Sequence, residues 1–271
     1  MLKPVRRFKI ERRIGRRARR VSDCVAVEEP LEIRVGGEPV AVVMRTPGDD
    51  FALAAGFLCS EGVIRDADDL GVISYCPRGD DPERANTVDV RATRPIDLST
   101  LRRNTYAASS CGICGKAAIE TIRVRVSRVR SRVRFSAELL RTFPGAARPK
   151  QASFALTGGL HAAALFDESG SLVDLKEDVG RHNAVDKVVG SALLGDRLPL
   201  DRHALLVSGR ASFEIVQKAA VAGIPIVCAI SAPSSLAIET ASSLGITLVG
   251  LLRGDRMNVY TGASRISAAG R

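Results

Sequence analysis

Residues 224–252 read IPIVCAISAPSSLAIETASSLGITLVGLL, and this stretch decides the fold. Two apolar runs, residues 224–230 and 246–252, have the length and composition of strands that are buried on both faces. Between them, residues 234–244 have helical spacing and are followed by a glycine. The stretch therefore predicts a strand, a helix and a second strand parallel to the first.

The same alternation begins further back in the chain, after a predicted loop at residues 144–149. We predict strands at residues 160–166, 172–175 and 204–208, and helices at 136–143, 179–194 and 212–222. Helices that alternate with buried strands favour a sheet covered on both faces. The sequence thus predicts an α/β protein whose residues 136–271 form a three-layer α/β/α domain.

The preceding part of the chain has shorter strands and fewer helices. We predict a helix at residues 48–60 and strands at residues 21–27, 31–35, 40–44, 72–76 and 87–92. Gly36 and Gly37 form a hairpin-turn dipeptide between the second and third of these strands. This pattern predicts a smaller α+β domain over residues 21–135.

The positive charge of the chain is concentrated at its amino end. The 271 residues carry a formal net charge of +10, and residues 1–20 hold ten basic side chains and one acid. Such a block is typical of a solvated, poorly ordered tail, although an arm for an acidic partner is an alternative. Few aromatic residues and a nearly neutral remainder argue against nucleic-acid binding. No apolar run is long enough for a membrane span, and no apolar export segment follows the basic block, so we expect a soluble protein.

A second basic segment, residues 122–134, reads IRVRVSRVRSRVR. Its partial alternation of valine and arginine predicts a strand with one exposed face. The arginines would be a solvated edge, or they would face a phosphate group.

Polar residues follow three predicted strands of the larger domain. Parallel strands present their carboxyl ends at one edge of a sheet, where ligands of open α/β sheets bind. Helix amino ends, hydroxyl groups and guanidinium groups together suit a phosphorylated ligand. The alternative is ordinary helix capping and turn formation. The candidate binding residues are Ser208, Gly209, Arg210, Ser231, Arg253, Gly254, Asp255 and Arg256.

His182 is a further candidate because it begins a predicted helix in a polar cluster. Asp178 could cap this helix, and Asp186, four residues beyond His182, could orient the imidazole. A single histidine on a helix is more often a ligand contact or a structural hydrogen bond than a catalytic group.

The motif SSCGICGK contains Cys111 and Cys114 in C-x-x-C spacing. Structural zinc would need a second ligand pair, and a thioredoxin-type centre would need a βαβ context, neither of which the sequence offers. Lys116 would favour a nucleophilic thiolate, which could carry sulfur as a persulfide. An inert pair is the alternative. The other four cysteines are scattered, and we expect them to be reduced, with Cys228 buried in a strand.

As a set, these motifs resemble the FdhD/NarQ family of formate dehydrogenase accessory sulfurtransferases. The resemblance rests, in chain order, on SSCGICGK (109–116), TGGLHAAALFD (157–167), EDVGRHNAVDKVVG (177–190), SGRASFEIVQKAA (208–220), ISAPSSLAIE (230–239) and RGDRMNVYTG (253–262).

The resemblance implies a larger domain similar to the cytidine deaminase fold, without the zinc-binding elements of deaminases. It implies a cytoplasmic homodimer in which Cys111, assisted by Cys114, receives sulfur from a cysteine desulfurase. The acceptor would be the bis-guanine-dinucleotide form of the molybdenum cofactor, for delivery to apo formate dehydrogenase. That cofactor, or a guanine nucleotide such as GDP, would contact Leu251, Leu252, Arg253, Gly254, Asp255 and Arg256. A chaperone that binds the cofactor without transferring sulfur is the alternative.

Overall fold

A computed structural model describes residues 3–76, 86–96, 98 and 126–267. Its α-helices are α1 (Asp50–Ser60), α2 (Ala137–Ala147), α3 (Ala152–Thr157), α4 (Arg181–Leu194), α5 (Phe213–Val221) and α6 (Ser235–Leu244). Its strands are β1 (Val5–Ile14), β2 (Arg17–Ala26), β3 (Glu29–Val35), β4 (Glu38–Arg45), β5 (Leu70–Tyr75), β6 (Thr87–Ala92), β7 (Phe135–Ser136), β8 (His161–Phe166), β9 (Leu172–Asp178), β10 (Ala204–Val207), β11 (Ile226–Ala229), β12 (Thr247–Arg253), β13 (Arg256–Thr261) and β14 (Ile266–Ser267). No helix in these ranges has the length and apolar character needed to cross a membrane.

The larger sheet has six strands in the order β13-β12-β11-β10-β8-β9. Strands β10, β11 and β12 are parallel, as the sequence predicts. Strand β8 is antiparallel to β10, β9 is antiparallel to β8, and β13 is antiparallel to β12. The carboxyl ends of β9, β10, β11 and β12 therefore meet the amino ends of β8 and β13 at one edge. We call this edge the carboxyl edge.

Helices cover both faces of this sheet. Successive residues of a strand point to opposite faces. Accordingly Leu165 belongs to the buried cluster that includes residues of α4, α5 and α6, while Phe166 belongs to the cluster that includes α2. The rings of Phe143 in α2 and Phe166 stack with their centroids 3.9 Å apart. The predicted layer of helices on each side of the sheet is therefore present.

The smaller sheet has the order β4-β3-β6-β5, and its apolar face joins the same core as the larger sheet. Gly36 and Gly37 turn between β3 and β4 with φ values of 59° and 85°, which only glycine adopts readily. Helix α1 links the two sheets because it crosses α4 at backbone contact. A Cβ added to Gly56 would lie 1.8 Å from the carbonyl oxygen of Asp186, and one added to Gly190 would lie 1.8 Å from that of Ala52.

The prediction of a poorly ordered tail at residues 1–20 was wrong. Strands β1 and β2 pair antiparallel over their whole length, from Val5 opposite Ala26 to Ile14 opposite Arg17. The ribbon exposes most of its basic side chains to solvent, and salt screens their mutual repulsion there. Arg12 also pairs with Asp23 at 3.2 Å. The base of the ribbon lies against the larger domain, since a Cβ at Gly159 would be 3.7 Å from that of Ala26.

The predicted strand at residues 122–134 is absent where the structure describes it. Residues 126–134 have no regular secondary structure, and residues 122–125 lie outside the described ranges. Val129 is buried and donates its N–H to the carbonyl oxygen of Leu244 at the end of α6. Val126, Val129 and Val133 make the apolar contacts of this segment. Because their spacing is not the two-residue period of a strand, they do not form one apolar strand face.

The predicted loop at residues 144–149 was also wrong. Helix α2 continues through Pro144 to Ala147, and a 3₁₀ turn at Arg148–Lys150 follows it. Proline removes one hydrogen-bond donor, but the end of the helix keeps the bond from the Arg148 N–H to the Pro144 carbonyl. This extension supplies one wall of the site described next.

Candidate functional site at the carboxyl edge of the sheet

The carboxyl edge contains a cavity of about 640 Å³. This volume is within the range of small-molecule sites. Its apolar walls include Pro144, Phe154 and Ile230, and its polar lining includes Arg148, His161 and Ser208. The Arg148 guanidinium lies over the Phe154 ring, 4.2 Å from its centroid. The cavity therefore offers an apolar lining with a cation at its rim.

Ser208 and His161 form the polar centre of this cavity. Ser208 follows β10 and His161 begins the antiparallel neighbour β8, so the sheet brings them together. Ser208 Oγ accepts a hydrogen bond of 2.9 Å from the Ala162 N–H and lies 3.3 Å from His161 Nδ1. Burial, with a smaller effect of the Arg181 charge, lowers the pKa of His161. A neutral His161 can exchange a hydrogen bond with a ligand in either direction.

Gly209 lies between His161 and Arg181. A Cβ at this position would be 3.4 Å from His161 Nδ1 and 3.5 Å from Arg181 Cδ, so a larger side chain would crowd both. Arg181 is the first residue of α4, and its buried Nε has no hydrogen-bond partner among the described residues. A buried donor without a partner is costly, which points to an acceptor supplied by a ligand.

The loops after β10 and β11 are joined to each other. Ala211 forms a bridge to Pro233 and accepts a hydrogen bond from the Ser234 N–H. Ser231 is half-buried, and its carbonyl oxygen accepts the N–H of Leu251. Arg210 is exposed beside these loops. Two predicted binding loops thus belong to one connected surface.

The third predicted loop is the tight turn between β12 and β13. Leu251 has a φ of 54° and lies in an irregularity of the strand pairing, while Leu252 is buried in the core. A left-handed leucine is uncommon, and such strain is concentrated at binding sites. The turn itself exposes Arg253, Gly254, Asp255 and Arg256.

Arg253 and Arg256 are directly opposite each other across this turn. Like charges in opposed positions are destabilising unless an anion lies between them. Arg253 Nε donates to the carbonyl oxygen of Ile230 at 2.9 Å, which fixes the turn beside the loop after β11. The geometry therefore places two guanidinium groups at the carboxyl edge, as phosphate binding requires.

His182 has different partners from those predicted. Its Nε2 lies 2.8 Å from Glu214 Oε2 and 3.1 Å from Ser212 Oγ, both at the start of α5. The His182 hydrogen bond lowers the pKa of Glu214. The expected contact with Asp186 was wrong, because Asp186 binds Lys218 Nζ at 2.8 Å and accepts the Ser60 hydroxyl. His182 helps to hold α4 beside α5.

Asp178 is structural, and the expectation that it caps α4 with its side chain was wrong. The cap residue is Gly180, without a side-chain hydrogen bond. Asp178 is fully buried, 2.8 Å from Lys187 Nζ, and accepts the Gly180 N–H. This ion pair shapes the turn that delivers Arg181 to the site.

The two cysteines of the C-x-x-C motif, Cys111 and Cys114, lie outside the described residues. The other four cysteines are free thiols, as expected. Burial raises the pKa of both Cys59 and Cys228 to about 12. Such thiols are chemically inert at neutral pH.

The sequence analysis did not identify His161, Arg181 or the wall of the cavity that runs from α2 to α3. His161 follows the glycine pair Gly158-Gly159, which is a sequence signal for close packing, but the antiparallel direction of β8 cannot be read from that signal. Arg181 is adjacent to His182 and was available as a candidate. The wall was hidden by Pro144, which suggested a loop.

Comparison with known proteins gives a consistent result. The model of the FdhD/NarQ family matches residues 26–267. The chain is 56% identical over 252 residues to the "Sulfur carrier protein FdhD" of Streptomyces avermitilis, with 90% of this chain and 89% of the relative covered. It is 46% identical over 265 residues to the protein of that name from Saccharolobus solfataricus, with 97% and 98% covered.

The fold is likewise similar to a solved structure. A chain from Desulfotalea psychrophila, whose crystal structure is described as that of a formate dehydrogenase accessory protein, superposes with a TM-score of 0.78 at 28% identity. The match covers 98% of this chain and 100% of the other. The motifs, the sequence relatives and the fold agree, and the chain belongs to the FdhD/NarQ family.

Proposed function

We propose that this chain is a sulfur carrier that serves formate dehydrogenase. Two observations support the proposal. The chain matches relatives named sulfur carrier proteins over almost their whole length, and its carboxyl edge carries arginines suited to phosphate groups. The cargo acceptor is the bis-guanine-dinucleotide form of the molybdenum cofactor. A cytoplasmic cysteine desulfurase is the sulfur donor, which makes the carrier cytoplasmic as well.

Sulfur loading is an exchange on sulfur. The Cys111 thiolate attacks the terminal sulfur of the desulfurase persulfide; a new S–S bond forms at Cys111, and the desulfurase cysteine leaves as a thiolate. No net oxidation occurs. In the release step, Cys114 attacks Cys111, sulfide departs toward molybdenum, and the two cysteines become a disulfide. A dithiol reductant then restores both thiols.

The carboxyl edge binds the acceptor through its phosphate groups. Arg253 and Arg256 flank the turn, and Arg210 lies on the neighbouring loop, so charge-assisted hydrogen bonds can reach phosphate oxygens from two sides. Arg181 offers, beside Gly209, a buried Nε that has no hydrogen-bond partner among the described residues. Guanine or pterin rings suit the apolar walls formed by Phe154 and Pro144. GDP is the simple probe for this binding mode.

Mass spectrometry tests the sulfur transfer. After incubation with a cysteine desulfurase and cysteine, the wild type should gain about one sulfur atom that dithiothreitol removes, and Cys111→Ala should gain none. Cys24→Ala is the control, since Cys24 is a half-buried free thiol outside the motif. Loading of Cys111→Ala at the wild-type level would refute the carrier step.

The cofactor chaperone is separated from the carrier by a second readout. A chaperone predicts that Cys111→Ala and Cys114→Ala still activate apo formate dehydrogenase. A carrier predicts loss of activation by Cys111→Ala while the protein still binds GDP. Sedimentation of the purified protein tests the proposed homodimer, and superposition on a cytidine deaminase tests the proposed likeness of the larger domain.

A further inference from the structure

The edge of the larger sheet opposite the carboxyl edge contains a second cavity, of about 660 Å³. Gly245 precedes β12 and Gly262 follows β13, and both line it. Strand β12 spans seven residues, so roughly 20 Å separates the two edges. We call this space the arginine cavity, after Arg128, Arg132, Arg134 and Arg265, which line it. It is separate from the site proposed for the cofactor.

Among the described residues, no carboxylate compensates the positive charge of the arginine cavity. No carboxylate is among the described residues that line it, and within the described chain none of its four arginines forms an ion pair. Arg265 donates from Nη1 to the carbonyl oxygen of Gly245 at 2.8 Å and from Nε to that of Ser131 at 3.2 Å. Burial and, as a smaller effect, the nearby charge of Arg128 lower the pKa of Arg265.

The backbone holds this crowding in place. Gly245 ends α6 with a φ of 70°, and a Cβ there would lie 3.0 Å from both Arg128 Nε and the Val129 carbonyl oxygen. The Val129 N–H also donates to the Leu244 carbonyl at 2.8 Å. Arg128 is therefore fixed against the end of α6 by its own segment.

Attraction to a helix carboxyl end explains only part of the cluster. The partial negative charge at the end of α6 accounts for Arg128 and Arg265, which contact Gly245. Arg132 and Arg134 also line the cavity but are exposed, without such a partner among the described residues. Ser242 and Ser264 also line the cavity, and so does Thr261, whose hydroxyl is already bonded to the backbone of Ile246 and Leu248. Guanidinium groups and hydroxyls around a concave site are the partners that phosphate oxygens prefer.

We propose that the arginine cavity binds the diphosphate group of a small ligand. A diphosphate presents several negative oxygens within one compact group, which can engage Arg128, Arg132, Arg134 and Arg265 together. The volume of the cavity leaves room for a nucleotide attached to that group. Free pyrophosphate and a nucleoside diphosphate share this chemistry and are distinguished by experiment.

Calorimetric titration of the full chain with inorganic pyrophosphate tests the site. We expect Arg128→Gln combined with Arg132→Gln to weaken binding at least tenfold, because two charge-assisted hydrogen bonds are lost. Arg91→Gln combined with Arg130→Gln is the matched control, since both arginines are exposed and neither lines the cavity. It removes the same charge and should change the affinity less than twofold. Arg134→Gln alone serves as a second test if the double variant does not fold.

A third variant separates this site from the carboxyl edge. Arg210→Gln combined with Arg253→Gln should leave the pyrophosphate site in the arginine cavity intact, whatever its effect on cofactor binding. The same titration with GDP shows whether the site prefers free pyrophosphate or a nucleoside diphosphate. Tighter binding of either probe supports the site. Absence of pyrophosphate binding, an equal loss in the control, or loss only in the carboxyl-edge variant would overturn the proposal.

Discussion

Ser208 Oγ lies 3.3 Å from His161 Nδ1 and accepts the N–H of Ala162, which joins the end of one strand to the start of its antiparallel neighbour. The Ser208→Ala variant should lose about 1 kcal/mol of unfolding free energy, because the buried Ala162 N–H loses its side-chain acceptor. It should also weaken GDP binding. Urea unfolding and calorimetry measure the two effects.

Ser231→Ala is the control for this prediction. Ser231 accepts a hydrogen bond from the Leu251 N–H through its backbone carbonyl, which the substitution keeps. Its stability should stay within about 0.5 kcal/mol of the wild type. An equal loss in both variants would show that the Ser208 contact contributes nothing specific.

The stability of the protein should fall in mildly acidic solution. Burial lowers the pKa of His161, and also that of His203, below the ordinary value of 6.5. The unfolded chain then takes up protons before the folded chain does, so stability is full above the unfolded pKa and is lost as pH falls through the folded pKa. Urea unfolding between about pH 7.5 and 5 should show this decline.

Substitution of the two histidines shows how much of the acid-induced loss of stability they cause. The double variant His161→Gln, His203→Gln should show a smaller decline over the same range, even if it is less stable at every pH. Carboxylates such as Glu214, whose pKa is lowered mainly by its hydrogen bond to His182, add their own losses at lower pH. A decline as steep as that of the wild type would exclude both histidines as its source.

Lys187→Met should be strongly destabilising. Lys187 Nζ lies 2.8 Å from Asp178 Oδ2, and both side chains are almost fully buried. Removal of the lysine leaves a buried carboxylate without its counter-ion, at a cost of about 3 to 5 kcal/mol. Arg202→Gln is the contrast, because Arg202 and Glu168 form an exposed pair, screened by solvent, whose loss should leave the stability nearly unchanged. Chemical denaturation compares the two.

Two glycine-to-alanine changes should have opposite effects. Gly190→Ala forces a Cβ into the Ala52 carbonyl of α1, so we expect a loss on the order of 4 kcal/mol or failure to fold. Gly145 lies in α2 with open space around it, so Gly145→Ala should stabilise the protein by about 0.5 to 1 kcal/mol. Soluble yield and thermal unfolding report both results. Tolerance of Gly190→Ala would mean that the two helices can move apart.

Much of the α/β sheet could be predicted because its strands are buried runs. Residues 226–229 and 248–252 are apolar throughout, which is typical of strands buried on both faces, and the serines and arginines after them predict a ligand-binding edge. The direction of β8 could not be predicted, since it depends on tertiary pairing, and with it the position of His161 was lost.

Charge and proline misled the prediction elsewhere. Residues 1–20 carry so many arginines that disorder was expected, yet antiparallel pairing with β2 satisfies the backbone whatever the side chains. The valines of residues 126–134 suggested a strand but pack singly along the core without a partner strand. Pro144 suggested a helix end, although α2 continues past it.

The close crossing of Gly56 and Gly190 also constrains how the protein is made. The two glycines are about 130 residues apart in the chain, and the side of α1 that carries Gly56 is covered only when α4 is present. At roughly 5 to 20 residues per second, synthesis of α4 follows that of α1 by on the order of 10 s. During this interval Ala52 and Gly56, which touch α4 in the native state, lack their packing partner. The amino-terminal half must therefore wait for the carboxyl-terminal half before it can complete its fold, and a chain truncated before α4 should be a substrate for chaperones and proteases rather than an independent module.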